Sequence, residues 1–364
     1  MNHLIKRLFA GLCILLLLGT LACGDDQPII SDPTQAAQAA DPAPATQEED
    51  IVATQGSATP AQALAEAPTP TPTPEPTATP TPFTTRPPIE GDVSTGTFPN
   101  YDTGADADWS YQSDELRVAI TRVENEDDQI VYYVADVWIR NINSIRMGFG
   151  NGQFNSGREE PEAFAEREHA IFAVNGTMNS GLVIHNGEKT KNVENSNIGF
   201  RSGIVIIYND GTVKTINRSK RQSFDYKKEN GTHGGIRQAF QFGPILVQDG
   251  EVNTSLKKNE RHPRTIFGYV EPGHFIFVAV DGRTKKSIGM TEEEMAELML
   301  SLGCTQAMNL DGGNSASMLF MGEVINARSG NDRKVNDMIL FAEYDADGNA
   351  PALSAVTADK LPGE

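Results

Sequence analysis

Apolar and β-branched residues recur in short runs from about residue 116 onward, and turn-forming residues separate these runs. Leu116–Val123 and Val131–Ile139 flank the turn-like segment 125–128, which predicts a β-hairpin. Further runs predict strands at 170–174, 203–208, 212–216, 245–247, 265–270, 275–280 and 307–310. Helical spacing is confined to two short stretches. The pattern therefore predicts an α+β domain, a mixed β-sheet with few helices.

The longer helical stretch lies between two of the predicted strands. Thr291 and Glu294 have the spacing of a capping box, and Gly303 is suited to end the helix. Four apolar residues fall on one face of it: Met295, Leu298, Met299 and Leu302. A strand, a helix of about 11 residues and a second strand form a β-α-β crossover, which normally makes its two strands parallel.

Polar residues follow both strands of this crossover. One strand ends in Asp281-Gly282-Arg283 and the other in Asp311-Gly312-Gly313, while Asn175-Gly176 ends another apolar strand in the same way. Parallel strands end at one edge of a sheet, where open α/β sheets tend to bind ligands. The sequence therefore predicts a ligand site at this edge, although an isolated Asp-Gly pair is usually only a turn.

Residues 311–317 are small, polar and rich in glycine. Their backbone N–H groups could face an anion together with the hydroxyls of Ser315 and Ser317, or the serines could bond their own backbone. Arg264 and Arg283 are candidate phosphate ligands, since a guanidinium grips phosphate with two donors, although either could instead form a salt bridge. The lysine and spacing of a P-loop are missing.

The N-terminal third has a different composition. Residues 1–22 combine basic residues with an apolar stretch and predict a lipoprotein signal peptide, because Cys23 follows small residues as in a lipobox. Ordinary cleavage and an uncleaved anchor are the alternatives, and all three place the remainder outside the cytoplasmic membrane. Residues 23–98 are low in complexity and predict a disordered Pro/Thr-rich stalk. The folded domain is expected at 99–348 and a C-terminal tail at 349–364.

Charge and metal-ligating residues narrow the functional classes. Residues 1–22 carry two basic residues and no acid, so their removal changes the formal net charge of the 364-residue chain from −19 to −21. Such a surface argues against nucleic acid as a partner. Cys304 is expected to be a buried apolar residue. Zinc spacing is lacking, and we expect no cofactor, although oxygen ligands from Asp281, Asn309 and Asp311 could hold Mg²⁺ or Ca²⁺.

Several segments resemble the phosphodiester glycosidase family, in the same order along about 240 residues. NLDGGNSASM at 309–318 is similar to the family's N-L-D-G-G-G-S-S-T-M, and VDGR at 280–283 with Ser287, Gly289 and Thr291 is similar to V-D-G-R…S-x-G-x-T. Further matches are the G-P-x-L-V segment within 242–247, P-R-T at 263–265, the opening strand at 134–137 and R-x-V-x-D at 333–337.

The resemblance implies a mixed α+β domain that cleaves a sugar-1-phosphodiester, releasing the sugar and leaving a phosphomonoester. The animal member removes N-acetylglucosamine to uncover mannose 6-phosphate, and bacterial members are described as exopolysaccharide-related.

On this basis we expect acid/base-assisted hydrolysis by two carboxylates. Asp281 and Asp311 would act jointly, Arg264 would bind the departing phosphate and Arg283 would assist. The other expected substrate-site residues are Asn175, Gly176, Asn309, Gly312, Gly313, Ser315, Ser317 and Asp337, the last as a support behind the site. The expected partners are a phosphorylated glycan or sugar-phosphodiester, and the membrane through a lipid anchor at the bacterial cell surface.

The alternative is a non-catalytic module that binds cell-wall glycan or exopolysaccharide on the stalk. Thr177 and Asn314 stand where the family usually has an acidic residue or glycine and a glycine, respectively, which favours a binding module. Both aspartates and Arg264 are retained, which favours an enzyme. A purely structural surface protein would leave the clustered polar loops unexplained.

Overall fold

The computed structural model describes Phe98 and residues 107–179, 181–191, 202–327, 333–345 and 347–359. The predicted signal peptide, Cys23 and the stalk other than Phe98 lie outside these residues. No helix within the described ranges is both long enough and apolar enough to span a membrane.

Among the described residues, β-strand is by far the commonest regular structure. In chain order the strands are β1 Trp109–Gln112, β2 Leu116–Asn125, β3 Ile130–Ile139, β4 Ile145–Phe149, β5 Phe172–Asn175, β6 Val183–His185, β7 Glu188–Lys191, β8 Gly203–Tyr208, β9 Val213–Asn217, β10 Ile236–Phe242, β11 Ile245–Gln248, β12 Glu251–Val252, β13 Arg264–Glu271, β14 His274–Val280, β15 Gln306–Asn309, β16 Met318–Phe320, β17 Glu323–Val324 and β18 Asp337–Phe341. The α-helices are α1 Pro161–Arg167, α2 Tyr226–Asn230 and α3 Glu292–Ser301. Single 3₁₀ turns lie at Ile142–Ser144, Gly150–Gly152, Arg218–Lys220, Gly313–Ser315 and Leu353–Ala355.

These strands form three sheets. The largest has eight strands in the order β1-β2-β3-β14-β13-β15-β11-β12. The second has the order β7-β6-β10-β8-β9, and the third has the order β17-β16-β5-β18-β4. The expected α+β class with few helices is confirmed.

The β-α-β crossover is present, with one strand inserted between its partners. Both β14 and β15 pair antiparallel with β13, so they run parallel to each other on either side of it. The capping box of α3 forms as expected: Glu294 N–H donates to Thr291 Oγ1 at 3.2 Å, and Thr291 N–H donates to Glu294 Oε2 at 2.9 Å. Because neighbouring strands lie about 4.8 Å apart, β14 and β15 end about 10 Å apart at one edge.

The main core lies on the face of the first sheet that carries Phe267 and Phe277. These rings pack with Phe172 and Phe341 of the third sheet, at centroid distances of 5.4 to 5.7 Å between contacting pairs. Helix α3 covers the opposite face of the first sheet, where Met295 and Met299 are buried. Cys304 is buried in the same cluster, and burial raises the pKa of its thiol to about 12.

Residues near both expected domain boundaries contribute to the core. Phe98, the last residue of the predicted stalk, is fully buried. Its N–H donates to Arg140 O at 2.7 Å, and Arg140 Nη1 donates to Phe98 O at 3.0 Å. In the predicted C-terminal tail, Leu353 is buried in the main core and Asp359 N–H donates to Ser110 O at 2.9 Å. The folded unit therefore includes parts of the segments that composition assigned to the stalk and the tail.

Replacing Phe98 with alanine is expected to lower the free energy of unfolding by about 3–5 kcal/mol, because a fully buried ring is removed and a cavity remains. Urea denaturation of the full chain, followed by tryptophan fluorescence, measures this change. Phe83→Ala, in the Pro/Thr-rich stretch, is the matched control and should leave the midpoint unchanged. An equal effect of the two substitutions would contradict the role of Phe98 in the core.

Candidate active site

The buried amide of Asn175 joins the ends of three strands. Asn175 ends β5, and its Oδ1 accepts from Thr265 Oγ1 of β13 at 2.6 Å and from Ser317 N–H at 3.0 Å. Its Nδ2 donates to the backbone oxygen of Asp311 at 2.7 Å. The amide thus uses both its oxygen and its nitrogen to hold the Asp311 loop against two sheets, and it is only 1% exposed.

The side chain of Asp311 lines a narrow cleft together with Asn175 and Arg333. Arg333 Nη2 lies 3.1 Å from Asp311 Oδ2, and Gly312 N–H donates to Asp311 Oδ1 at 3.0 Å. Burial raises the pKa of the Asp311 carboxyl, while the Ser315 hydroxyl, Arg333 and the Gly312 N–H act in the opposite direction. The side chain remains 15% exposed, so a ligand can reach this carboxylate.

Asp337 lies behind the cleft and is almost completely buried. Its Oδ2 accepts from Thr177 N–H at 2.9 Å and from Thr177 Oγ1 at 2.8 Å. Burial raises the pKa of Asp337, and these donors oppose the rise. A side chain at Gly176 would place Cβ 2.7 Å from the Asp337 carboxylate, so only glycine fits. Asp337 therefore fixes the loop after β5.

Asp281 emerges at the same edge but faces other partners. Its Oδ1 accepts from Ala327 N–H at 2.9 Å, and the Asn326 side chain also bonds it. Burial raises its pKa to about 6, and these two hydrogen bonds and Arg122 only partly offset that rise. Within the described ranges, no hydrogen bond or ion pair joins the Asp281 and Asp311 carboxylates. The two aspartates share an edge, about two strand spacings apart, without forming a direct pair.

Two arginines lie on the outer side of the Asp311 loop. Arg283 Nη1 donates to Asn314 Oδ1 at 2.9 Å, and Arg264 Cδ lies 3.7 Å from the position that a Cβ would occupy at Gly312. Burial is the main cause that lowers the pKa of His262, followed by the charges of Arg264 and Arg283. These three side chains, Arg264, Arg283 and His262, form a local basic group that we call the basic rim.

The remaining predicted residues shape the loop from within. Ser315 and Ser317 are buried, and Ser317 Oγ donates to Ser315 O at 3.1 Å. Gly313 N–H donates to Pro263 O at 2.9 Å, and Gly312 lies so close to Pro263 O that a Cβ would approach to 2.7 Å. Asn309 Nδ2 donates to Gly243 O at 3.0 Å, while its buried Oδ1 has no hydrogen-bond partner in the described part of the chain.

Arg333 is the site residue to which sequence reasoning gave no role. It was part of the R-x-V-x-D segment, but nothing in the local pattern indicated that it would reach Asp311, 22 positions earlier. The sequence likewise indicates Thr265 only as part of the P-R-T segment, whereas in the structure its hydroxyl donates to the Asn175 side chain. The sequence signal for the site is a polar residue directly after a strand. Arg333 lacks this signal because it precedes a strand.

A larger cavity of about 740 Å³ lies elsewhere, between the β8–β9 hairpin and α2. All three carboxylates that line it have partners. Glu229 is engaged by Tyr208 Oη at 2.5 Å and Lys214 Nζ at 2.9 Å. Asp225 accepts from Lys227 N–H at 3.0 Å, and Asp249 accepts from Gln306 Nε2 at 2.8 Å. We favour the smaller Asp311 cleft because it combines an accessible carboxylate with nearby cations at converging strand ends. Groups of three or more His, Cys, Asp or Glu side chains placed to hold a metal ion are not found among the described residues.

Asp281→Asn should change how stability depends on pH. The folded protein holds the Asp281 proton more tightly than the unfolded chain, so ionisation costs stability as the pH rises from about 4 to 6. The free energy of unfolding of Asp281→Asn minus that of the wild type should therefore increase by about 2–3 kcal/mol between pH 4 and 7.5. Urea titrations at several pH values measure this difference. Asp128→Asn, in an exposed turn, serves as control, and parallel curves for Asp281→Asn and wild type would contradict the expectation.

Comparisons with known proteins agree on one family. The model of the phosphodiester glycosidase family matches residues 162–342. A SPbeta prophage-derived uncharacterised protein of Bacillus subtilis is 31% identical over 204 residues, covering 52% of this chain and 30% of the relative. N-acetylglucosamine-1-phosphodiester alpha-N-acetylglucosaminidase of Bos taurus is 25% identical over 173 residues, which cover 47% of this chain and 28% of the bovine protein. The chain thus spans less than a third of the length of these relatives.

A solved structure shows the same fold. The zebrafish N-acetylglucosamine-1-phosphodiester alpha-N-acetylglucosaminidase catalytic domain, auto-inhibited by its pro-peptide, aligns with a TM-score of 0.50 at 19% identity. The alignment covers 65% of this chain and 86% of the zebrafish chain. Together with the ordered motifs and the strand-end site, these matches show that the chain carries a domain of the phosphodiester glycosidase family.

Proposed function

We propose that this protein hydrolyses a sugar-1-phosphodiester, releasing the sugar and leaving a phosphomonoester. The observation that carries the proposal is the Asp311 carboxylate, which reaches a cleft while its loop is bordered by the basic rim. Family membership supports the reaction class, and the names of the bovine and zebrafish relatives suggest N-acetylglucosamine as the first sugar to test.

The leaving group explains why one accessible carboxylate can suffice. Cleavage of the bond between the anomeric carbon and oxygen releases a phosphomonoester, whose conjugate acid has a pKa of about 6. An alcohol leaving group is a far stronger base and normally requires protonation by a general acid. A phosphate can leave as an anion if cations stabilise it. The separation of Asp281 from the cleft is therefore compatible with catalysis.

Asp311 is assigned the reacting carboxylate. Arg333 at 3.1 Å favours its ionised form, whereas partial burial makes the carboxylate more basic than it would be in water. An ionised, moderately basic carboxylate can activate a water molecule or stabilise positive charge at the anomeric carbon. The Asn175, Gly312 and Ser315 contacts hold it in place, which limits the reorganisation needed during reaction.

We assign the binding of the departing phosphate to the basic rim. The charges of Arg264 and Arg283 both act on His262, which places them near one another beside this loop. In this structure the Arg264 guanidinium donates to Met290 O at 3.5 Å and to Glu260 O at 3.4 Å, so it would have to turn to bind phosphate. Guanidinium groups bind phosphate oxygens with paired donors, and their attraction grows as the leaving group gains charge. Asn309 Oδ1 has no hydrogen-bond partner among the described residues, but it is buried and Asn309 does not line the cleft, so we assign it no contact with the sugar.

Residues 1–98 support an extracytoplasmic location for this activity. A signal peptide, lipidation at Cys23 and an extended Pro/Thr-rich stalk would hold the domain above the bacterial membrane, within reach of cell-surface glycan or exopolysaccharide. The substrate we propose is therefore a phosphorylated glycan at the cell surface.

A non-catalytic glycan-binding module is the second candidate. The observation that favours it is the placement of Asp281, whose carboxylate bonds residues 326 and 327 rather than facing the cleft. A binding protein would need the cleft and the basic rim but no reacting carboxylate. Turnover and binding must therefore be measured separately.

Asp311→Asn is expected to lower kcat about 10²–10⁴-fold on a methyl phosphodiester of N-acetylglucosamine-1-phosphate, because the ionised carboxylate is lost. Arg264→Ala and Arg283→Ala should reduce kcat more than they raise KM, since the phosphate gains charge during cleavage. Free sugar released by the purified full chain is the readout, measured across a panel of sugar-1-phosphodiesters. Parallel assays with EDTA test for a Mg²⁺ or Ca²⁺ requirement.

Asp249→Asn is the matched control, because Asp249-Gly250 is an Asp-Gly pair in a turn outside the cleft. It should retain full turnover. Absence of sugar release from every substrate, with glycan binding lost in Arg264→Ala, would support the binding module. Full activity of Asp311→Asn would falsify the assignment of the reacting carboxylate.

A further inference from the structure

A second group of basic side chains lies where the second and third sheets meet. Arg146 is on β4, His185 ends β6, and Arg237 is on β10. Burial is the main cause that lowers the pKa of each group, bringing that of His185 to about 4. The charges of both arginines also act on His185, and Arg146 acts on Arg237. Gln238, which follows Arg237, donates to Ile145 O at 3.5 Å and to Asn186 Oδ1 at 2.7 Å, so the three basic residues lie on adjoining backbone segments. We call them the junction cluster.

Within the described residues, opposite charges lie near Arg146 but not near Arg237. Arg146 has neighbours of its own: its Nη1 donates to Gly348 O at 3.0 Å, its guanidinium lies over the Tyr344 ring, and Glu168 and Asp345 act on it. No hydrogen bond or salt bridge engages the guanidinium of Arg237 within the ranges that the structure describes. Among the described residues, the one charge that acts on Arg237 is the like charge of Arg146, so within this part of the chain a half-buried cation has no opposite charge beside it.

Each member of the cluster carries a buried nitrogen without a partner in the described residues: Arg146 Nε, Arg237 Nε and His185 Nδ1. The tautomer of His185 follows from its neighbours. Asn186 Oδ1 accepts from Gln238 Nε2 at 2.7 Å, which leaves Asn186 Nδ2 to donate to His185 Nε2 at 3.1 Å. A neutral His185 therefore carries its proton on Nδ1. All three unpaired nitrogens are donors, and none can satisfy another.

The backbone also singles out Arg237. The register between β10 and β8 shifts between Ile236 and Gln238, which pair with the consecutive residues Tyr208 and Ile207. Arg237 is thus the extra residue of a β-bulge. Bulges commonly redirect a side chain near functional sites. Here the bulge accompanies a guanidinium placed beside another cation rather than beside a carboxylate.

We propose that the junction cluster is a binding site for an oxyanion of the phosphate class, held by the guanidinium of Arg237 together with Arg146 and His185 Nδ1. A tetrahedral oxyanion has several oxygens that can accept hydrogen bonds from the three unpaired donors. Its negative charge would also neutralise the two neighbouring positive charges. Each of the three residues is partly exposed, whereas its unpaired nitrogen is buried, so the ligand would have to enter between the side chains to reach these donors. The junction cluster shares no residue with the Asp311 cleft or the basic rim, and the proposal does not depend on the proposed reaction.

The first test compares stability in phosphate and in chloride at equal ionic strength and pH 7.5, using the full chain. Phosphate should raise the Tm of wild type, with a shift that grows with the logarithm of concentration above the dissociation constant. Arg237→Gln should have an equal or higher Tm than wild type in chloride, because it removes like-charge repulsion, and should lose most of the phosphate-dependent shift. Arg283→Gln, on the basic rim, controls for phosphate bound near Asp311 and should retain the shift from the junction cluster.

A second measurement needs no substitution. Inorganic phosphate, titrated into wild type, should shift the nitrogen resonance of His185 Nδ1 in a saturable manner, and acetate at the same ionic strength should shift it less. A Tm of Arg237→Gln that is lower by the same amount in phosphate and chloride would show a purely structural role and overturn the proposal. An unresponsive His185 resonance would overturn it as well, even if Arg237→Gln did not fold.

Discussion

The arrangement of the candidate site depends on one buried amide. Asn175 must use its oxygen for Thr265 and Ser317 and its nitrogen for the Asp311 backbone, so it fixes three chain segments relative to one another. Asparagine can do this because its side chain has both a donor and an acceptor, whereas aspartate would lose the donor and leucine would lose both. An unmade hydrogen bond at so buried a position is costly, which makes this arrangement strongly preferred over alternatives. The direction of the Asp311 carboxylate follows from it.

The local sequence pattern was sufficient to predict those features that are determined by residues close together in the chain. The first hairpin, the capping box of α3 and the shared edge of Asp281 and Asp311 follow from apolar runs, turn residues and crossover geometry. The partners of these aspartates could not be predicted in this way. Arg333 and Ala327 reach them from segments that are distant in sequence, and only the packing of the third sheet against the first brings them there. Arg264 does not line the cleft, because alternation along β13 places it on the opposite face from Thr265.

The acidity of the chain and its proposed ligands are compatible because the two act over different distances. A net charge of −19 repels anions from afar, but exposed charges more than about 8 Å away are largely screened at physiological ionic strength. Within that distance the basic rim dominates at one place and the junction cluster at another. Half-buried guanidinium groups are screened less than exposed ones, so a few arginines can outweigh many distant carboxylates. Net charge thus describes solubility better than it describes ligand preference.

The burial of Phe98 determines where a force on the preceding residues would enter the folded unit. Any tension in the preceding residues enters the folded unit at this ring and at the two hydrogen bonds that Phe98 makes with Arg140. Arg140 directly follows β3, a ten-residue strand that pairs with β2 along its whole length and with β14 over residues 132–138. The load is therefore passed to the centre of the largest sheet rather than to an edge strand, and many ladder hydrogen bonds share it. The cleft, which is built on other strand ends, lies away from that first point of loading.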